Sequence, residues 1–184
     1  MDEYKSLGIM EYRSVSIGMK AADSMVKAAD IKLMMMQTVC PGKYIIMFTG
    51  KLSSVEAAMS VGKQSPFEEV LVDTYMLGNP DPSIYPAIYG TCEKDDLAAI
   101  GILEGYSVAS IVGVADEIVK TSPVRLIEIR LARGMTGKSY AIFAGEIAAV
   151  EASMKKAEAI LVESGLYLHS AVIPSPDRQI WEMI

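Results

Sequence analysis

The residues best suited to chemistry lie in one short loop, residues 38–43, with the sequence Thr-Val-Cys-Pro-Gly-Lys. Pro41 disfavours helical backbone at Cys40, and Gly42 can adopt a positive φ. The loop is therefore predicted to bend and to direct the thiol away from the neighbouring strands. A thiolate is a soft ligand for soft metal ions. A single loop cysteine is more often an unreactive packing residue, so the residues alone leave both interpretations open.

Other potential ligands do not form a pattern with Cys40. Cys92 lies in a connector and has no spacing that pairs it with Cys40. His169, the one histidine, lies within a predicted strand and is expected on a sheet surface. The methionine run 34–36 alternates across a strand, which favours core or interface packing over metal binding.

Composition excludes several classes of protein. The chain has 184 residues, enough for one large or two small domains, and 51% of them are hydrophobic. No apolar run is long enough to cross a bilayer, and the polar, acidic start does not resemble a signal peptide. The net charge of −6, without a Lys or Arg run, argues against nucleic acid as a partner. Two cysteines provide no disulfide framework, so we expect a reducing cytosol.

The elements that must position the loop can be predicted from apolar spacing and capping residues. They are, in order, a strand at 7–12, a helix after Ser14, strands at 31–36 and 44–49, a helix from residue 52 capped by Ser53 or Ser54, and a strand at 70–77. Two prolines within residues 78–82 then mark a break, followed by a connector with a short helical piece.

The second half of the chain repeats the first. Residues 8–11, Gly-Ile-Met-Glu, match residues 101–104, Gly-Ile-Leu-Glu, 93 positions later. Residues 42–43 match residues 137–138 at an offset of 95, so two residues are inserted near the loop that matches the cysteine loop. A period of this length indicates two whole domains rather than a solenoid.

Each copy has the order strand, helix, strand, loop, strand, helix, strand. This order predicts an α+β fold of two tandem domains, 4–90 and 96–182, each a small antiparallel sheet with helices packed on it. The elements predicted in the second copy are 97–105, 108–120, 124–132, 139–144, 147–164 and 166–173, with Gly165 ending the last helix.

The repeated motifs resemble the bacterial microcompartment (BMC) shell domain. They are Gly-Ile-(Met/Leu)-Glu, Ala-Asp-x-(Met/Ile)-Val-Lys, the Gly-Lys loop and Gly followed by Val-Glu-Ala. Two copies in one chain resemble the tandem-domain members that form trimers. The Cys-Pro-Gly-Lys loop and the Ile-Pro-Ser-Pro segment at 173–176 resemble members that carry an iron–sulfur cluster. The family's arginine between two prolines is replaced by Ser175 in the second copy and by the segment 79–82 in the first, which implies either weaker sheet assembly or dependence on partner shell proteins.

The resemblance implies a homotrimer that serves as a pseudo-hexameric shell tile, without enzymatic activity. It implies one [4Fe–4S] cluster per trimer, held by three Cys40 thiolates and a non-protein fourth ligand. Lys43 and nearby backbone N–H groups would stabilise the cluster's negative charge. The implied positions are Cys40 as metal ligand, Pro41, Gly42 and Lys43 in a first pore loop, Gly134, Met135, Thr136 and Gly137 in a second pore loop that runs from Arg133, and Lys27 and Lys120 at tile edges.

The expected partners are other shell proteins in a lattice and an encapsulated oxidoreductase that exchanges electrons with the cluster. Two alternatives remain. In the first, the tile has no cluster and its central pore conducts small metabolites. In the second, the protein is a ligand-binding regulatory α/β oligomer, although no phosphate-binding glycine motif or acid–base pair supports that class. As lysines in the last turn of a helix, Lys27 and Lys120 could also simply complement the helix dipole.

Overall fold

The computed structural model describes residues 6–92, 98–132 and 134–184. These residues form two compact units. The first comprises residues 6–80 with the loop 134–137, and the second comprises the remaining described residues. The predicted domain starts at residues 4 and 96, the predicted strand start at 97 and Arg133 lie outside the described residues.

The first unit is a four-stranded antiparallel sheet with two helices. Its elements are β1 (Ser6–Tyr12), α1 (Val15–Ala28), β2 (Ile31–Val39), β3 (Lys43–Gly50), α2 (Leu52–Gly62) and β4 (Leu71–Leu77), with a 3₁₀ turn at Glu68–Val70. The strand order is β2-β3-β1-β4. One face of the sheet packs with the helices, in a core that includes Tyr12, Phe48, Met25 and Val55.

The second unit repeats this arrangement and adds a short helix at each end. Its elements are α3 (Ile84–Tyr89), β5 (Ala99–Gly105), α4 (Val108–Thr121), β6 (Val124–Arg130), β7 (Ser139–Gly145), α5 (Ile147–Glu163), β8 (Tyr167–Ile173) and α6 (Arg178–Met183). Its strand order is β6-β7-β5-β8. The predicted duplication and the α+β class are confirmed.

The two sheets match in register as well as in order. β2 opposite β3 has a bulge between Leu33 and Met35, and β6 opposite β7 has one between Leu126 and Glu128, 93 positions later. A bulge changes the local twist of an edge strand and is a conserved geometrical feature rather than a defect. The correspondence between β2 and β6 in the repeat is therefore exact enough to compare single positions between the copies.

Local signals explain most of the helix boundaries. The Ser14 hydroxyl accepts a hydrogen bond from the Ile17 N–H at 3.3 Å, which confirms the predicted N-cap of α1. The predicted cap of α2 at Ser53 or Ser54 is wrong. Both serines lie inside the helix, and Lys51 occupies the N-cap position without a side-chain hydrogen bond. Gly165 has a φ of 71° just beyond α5, as predicted for a helix C-terminus.

Candidate functional site at the Cys40 loop

Cys40 lies in the turn between two paired strands. The last pair of the β2–β3 hairpin is Val39 with Lys43, so residues 40–42 form the turn. Gly42 has a φ of 80°, and a side chain added there would meet no atom within 4 Å. Val39 is buried, whereas Cys40 is half-buried. The hairpin therefore holds the thiol at the end of the sheet, partly accessible from outside the core.

Lys43 is tied to a buried carboxylate on the neighbouring strand. Its Nζ lies 2.9 Å from Glu11 Oε2, and the Glu11 side chain is fully buried. In the sheet Glu11 is opposite Ile45, two residues from Lys43, so the two charged side chains form a diagonal cross-strand pair. The positive charge of Lys43, three residues after Cys40, is therefore largely offset by the negative charge of Glu11.

The second predicted loop packs directly on the first. A side chain added at Gly137 would lie 2.8 Å from Pro41 Cδ and 3.4 Å from the Cys40 carbonyl oxygen. Gly137 has a φ of 88° and Thr136 a φ of 54°, so the loop turns through left-handed backbone where it meets Pro41. This contact brings part of the two predicted pore loops together within the first unit.

An open cavity of about 510 Å³ lies beside the thiol. It is lined by Gln37, Thr38, Val39, Cys40, Gly42 and Gly134, none of which carries a charge. Of the described residues of the second loop, Gly134 contributes to this lining, whereas Met135, Thr136 and Gly137 do not. The cavity is large enough for several water molecules and gives Cys40 a route to solvent.

The described part of one chain supplies too few ligands for a cluster. Among residues 6–92, 98–132 and 134–184, no three His, Cys, Asp or Glu side chains come together as a metal-binding group. Cys92 lies just after α3, and burial raises the pKa of its thiol. His169 is exposed in β8, as predicted. The donor set thus fits an iron–sulfur cluster only if several copies of Cys40 meet.

The two predicted edge lysines occupy matched positions but differ in their surroundings. Lys27 and Lys120 both lie in the last turn of a helix, α1 and α4 respectively. Lys27 Nζ lies 2.6 Å from Asp23 Oδ2, and both side chains are mostly exposed. Lys120 contacts Asp116, whose side chain is only 3% exposed.

Asp116 is a structural residue that the sequence analysis did not single out. Its Oδ1 accepts a hydrogen bond from the Asp81 N–H at 2.7 Å, and its Oδ2 contacts Lys120. The Ala-Asp-x-x-Val-Lys motif contains this residue in both copies, but the motif does not distinguish the buried Asp116 from the exposed Asp23. Only the packing of the connector next to α4 separates them.

These features define the class of protein. The BMC domain matches residues 6–80 and residues 99–176, one match to each copy of the internal repeat, so the chain belongs to the BMC-domain family of microcompartment shell proteins. The resemblance in the repeated motifs is confirmed.

Individual relatives are similar over nearly the whole chain. The chain is 36% identical to the bacterial microcompartment shell protein PduT of Citrobacter freundii over 180 residues, which cover 98% of this chain and 97% of that protein. A crystal structure of a microcompartments protein from Desulfitobacterium hafniense DCB superimposes with a TM-score of 0.86 at 35% identity, covering 96% of this chain and 98% of that one.

A more distant structure shares the fold alone. The fused permuted hexameric shell protein MSM0275 from the RMM microcompartment superimposes with a TM-score of 0.59 at 16% identity, over 85% of this chain and 81% of that one. In the described part of the chain, no helix has the length and apolarity that a bilayer crossing requires.

Proposed function

We propose that the protein is a trimeric tile of a bacterial microcompartment shell, and that three Cys40 thiolates hold one [4Fe–4S] cluster on its threefold axis. A ligand from outside the protein completes the fourth iron. The observation that carries this proposal is the position of the Cys40 thiol, which lies in a hairpin turn beside a cavity whose described lining residues carry no charge. The fold and the similarity to PduT support the shell role.

Symmetry supplies the ligands that one chain lacks. A cyclic trimer brings three copies of every residue near its axis together. One half-buried thiol per chain then becomes three soft ligands at one point, which suits an iron–sulfur cluster. Cys92 lies in the connector and is not needed for this ligand set.

The residues around Cys40 have separate roles in this proposal. Gly42 leaves open space beside the turn, so neighbouring copies can approach without a side chain between them. Gly137 packs against Pro41 and helps to hold the thiol's backbone in place. Because Glu11 offsets the charge of Lys43, stabilisation of bound anionic sulfur falls mainly to backbone N–H groups.

When bound, a cluster of this kind transfers one electron at a time. The protein itself performs no substrate chemistry. It provides the route by which an encapsulated oxidoreductase exchanges electrons across the shell. Other shell proteins surround the tile in the lattice, with Lys27 and Lys120 at its edges. The regulatory-oligomer alternative has no equivalent support in the family match.

An open metabolite pore is the second candidate. The cavity of about 510 Å³ beside Cys40 favours it, because the described residues that line it carry no charge and would suit small neutral molecules. A cluster on the axis would block that passage, so the two functions exclude each other at one pore.

An anaerobic absorption spectrum with iron and sulfide analysis tests the proposal. The wild-type protein is compared with Cys40→Ser and with Cys92→Ser, which is the matched thiol control. We expect broad visible absorption and about four irons per trimer in the wild type and in Cys92→Ser, and neither in Cys40→Ser. Trimers should persist in all three. A colourless wild-type protein after reconstitution would favour the metabolite pore.

A further inference from the structure

The end of the chain is a copy of the connector between the two units. Pro80 and Asp81 match Pro176 and Asp177, 96 positions later. Each aspartate precedes a short helix and accepts a hydrogen bond from the backbone two residues later. Asp81 Oδ1 accepts a hydrogen bond from the Ser83 N–H at 2.9 Å. Likewise, Asp177 Oδ1 accepts a hydrogen bond from the Gln179 N–H at 2.8 Å. α3 and α6 are therefore equivalent helices that follow equivalent strands.

The two helices differ in what covers them. α3 packs against β6 and α4 in the second unit, and its Ile84 and Ala87 side chains are fully buried. The residues at the matched positions in α6 are Ile180 and Met183, which are 52% and 88% exposed. α6 is anchored by Trp181, which packs on the sheet cluster around Ile100 and Ile142. α6 thus presents an apolar side for which its own unit has no covering element among the described residues.

The first unit presents the counterpart of the surface that α3 covers. On β6, Leu126 and Ile129 are buried, whereas the matched residues of β2, Leu33 and Met36, are 36% and 37% exposed.

The same difference recurs on the neighbouring helices. Val112 of α4 is buried, and its match on α1, Met19, is one of the exposed large hydrophobic residues. We call the surface formed by Leu33, Met36 and Met19 the β2–α1 face.

We propose that α6 of one copy docks on the β2–α1 face of a second copy, in the way that α3 packs on β6 and α4 within one chain. This inference rests on the proposed trimer and identifies the segments that close it. The internal repeat predicts what covers each exposed surface. Residues 178–184 of one copy cover β2 of a second copy, and that β2 in turn covers residues 178–184. Since the donor and acceptor surfaces differ, the contact is head-to-tail and can close into a ring.

Charge substitutions on each surface test the docking separately. The donor variant carries Ile180→Asp and Met183→Asp, and the acceptor variant carries Leu33→Asp and Met36→Asp. Val162→Asp, on the exposed side of α5, is the matched control because it also replaces an exposed apolar side chain. By light scattering after gel filtration, we expect trimers for the wild type and the control. The donor and acceptor variants should fall about threefold in mass.

Mixing the two variants distinguishes head-to-tail docking from general loss of solubility or folding. The donor variant retains an intact acceptor, and the acceptor variant retains an intact donor. An equimolar mixture should form dimers that contain one chain of each kind, although neither variant associates alone. A mixture that remains monomeric would overturn the proposal, as would trimers in either variant.

Footprinting of the wild-type trimer provides a test that needs no variant to fold. Oxidation of Met19, Met36 and Met183 should be slower in the trimer than in chains dissociated by dilution. Equal rates would contradict the docking proposal while leaving the tile intact. A wild-type protein that is monomeric at every concentration would instead overturn the trimeric tile itself, so the two failures are distinguishable.

Discussion

The backbone N–H of Asp81 donates a hydrogen bond to Asp116 Oδ1 at 2.7 Å, which joins the connector to α4. The same carboxylate contacts Lys120 through its other oxygen. A buried carboxylate is stable only when its acceptor sites are occupied, and here the connector and the lysine occupy them.

Asp116→Ala should destabilise the protein much more than Asp23→Ala, its match in the first copy. Removal of Asp116 leaves the Asp81 N–H without this acceptor and should cost about 2–3 kcal/mol. Asp23 is exposed, and loss of its ion pair should cost about 0.5 kcal/mol or less. Chemical denaturation measures both values. Equal losses would show that the burial of Asp116 does not set its contribution.

Removal of one partner of the Glu11–Lys43 pair should lower the protein's stability more than removal of both partners together. Glu11→Leu leaves a mostly buried ammonium group without this carboxylate and should cost on the order of 3 kcal/mol. The combined change Glu11→Leu with Lys43→Met removes both charges and should cost less than Glu11→Leu alone. Urea denaturation of the two single variants and the double variant completes the cycle. A double variant as unstable as the sum of the singles would mean that the charges are not coupled.

Gly137→Ala should expose the Cys40 thiol. The added methyl group would approach Pro41 Cδ at 2.8 Å, and the φ of 88° is unfavourable for alanine. Together these effects should cost about 1–3 kcal/mol and displace the second loop from Cys40. In metal-free protein carrying Cys92→Ser, the reaction of Cys40 with a maleimide should become faster.

Gly42→Ala is the control for that measurement. It also places alanine at a positive φ, but its methyl group would enter open space. We expect backbone strain of about 1 kcal/mol and little change in the rate at Cys40. An equal acceleration in both variants would show that backbone strain, rather than the Pro41 contact, controls access to the thiol.

Stability should fall at high pH because of Tyr12. Burial raises the pKa of the Tyr12 hydroxyl above its usual range, and the hydroxyl donates to the Gly62 carbonyl oxygen at 2.9 Å. Above about pH 10 the unfolded chain loses this proton while the folded chain keeps it, so the unfolded state binds fewer protons. The free energy of unfolding should decrease with pH there, by up to about 1.4 kcal/mol per pH unit for this group.

Tyr12→Phe isolates that contribution. The variant should be less stable near neutral pH, since it loses the hydrogen bond to Gly62. Between pH 10 and 11, however, its stability should fall less steeply than that of the wild type. Parallel curves for the two proteins would indicate that Tyr12 ionises equally in both states. Denaturation series at fixed ionic strength provide the comparison.

Local and repeated signals made much of the fold predictable from the sequence. Ser14 and Gly165 mark helix ends through short-range hydrogen bonding and backbone freedom, and the 93-residue offset aligns the copies. The α2 cap was missed because Ser53 and Ser54 resemble capping residues but lie within the helix.

Long-range packing explains what the sequence could not predict at the site. The Cys40 turn could be located because its signals are adjacent in the chain. The contact of Gly137 with Pro41 joins residues far apart in sequence, and the pairing of Lys43 with Glu11 depends on strand register. Likewise, Asp23 and Asp116 lie in one repeated motif, and only tertiary burial makes them different.

The unequal lysines have a consequence for how a tile fits among its neighbours. In the proposed trimer, each chain would supply two edge lysines of different kinds, an exposed Lys27 and a Lys120 held by buried Asp116. If such a tile is pseudo-hexameric, as proposed, turning it by one-sixth of a rotation would exchange the two kinds of lysine. A surrounding array with true sixfold symmetry would hold the tile with equal energy in either setting, whereas an array with only threefold symmetry would distinguish the two. The proposed tile would therefore carry an orientation that its outline alone does not reveal.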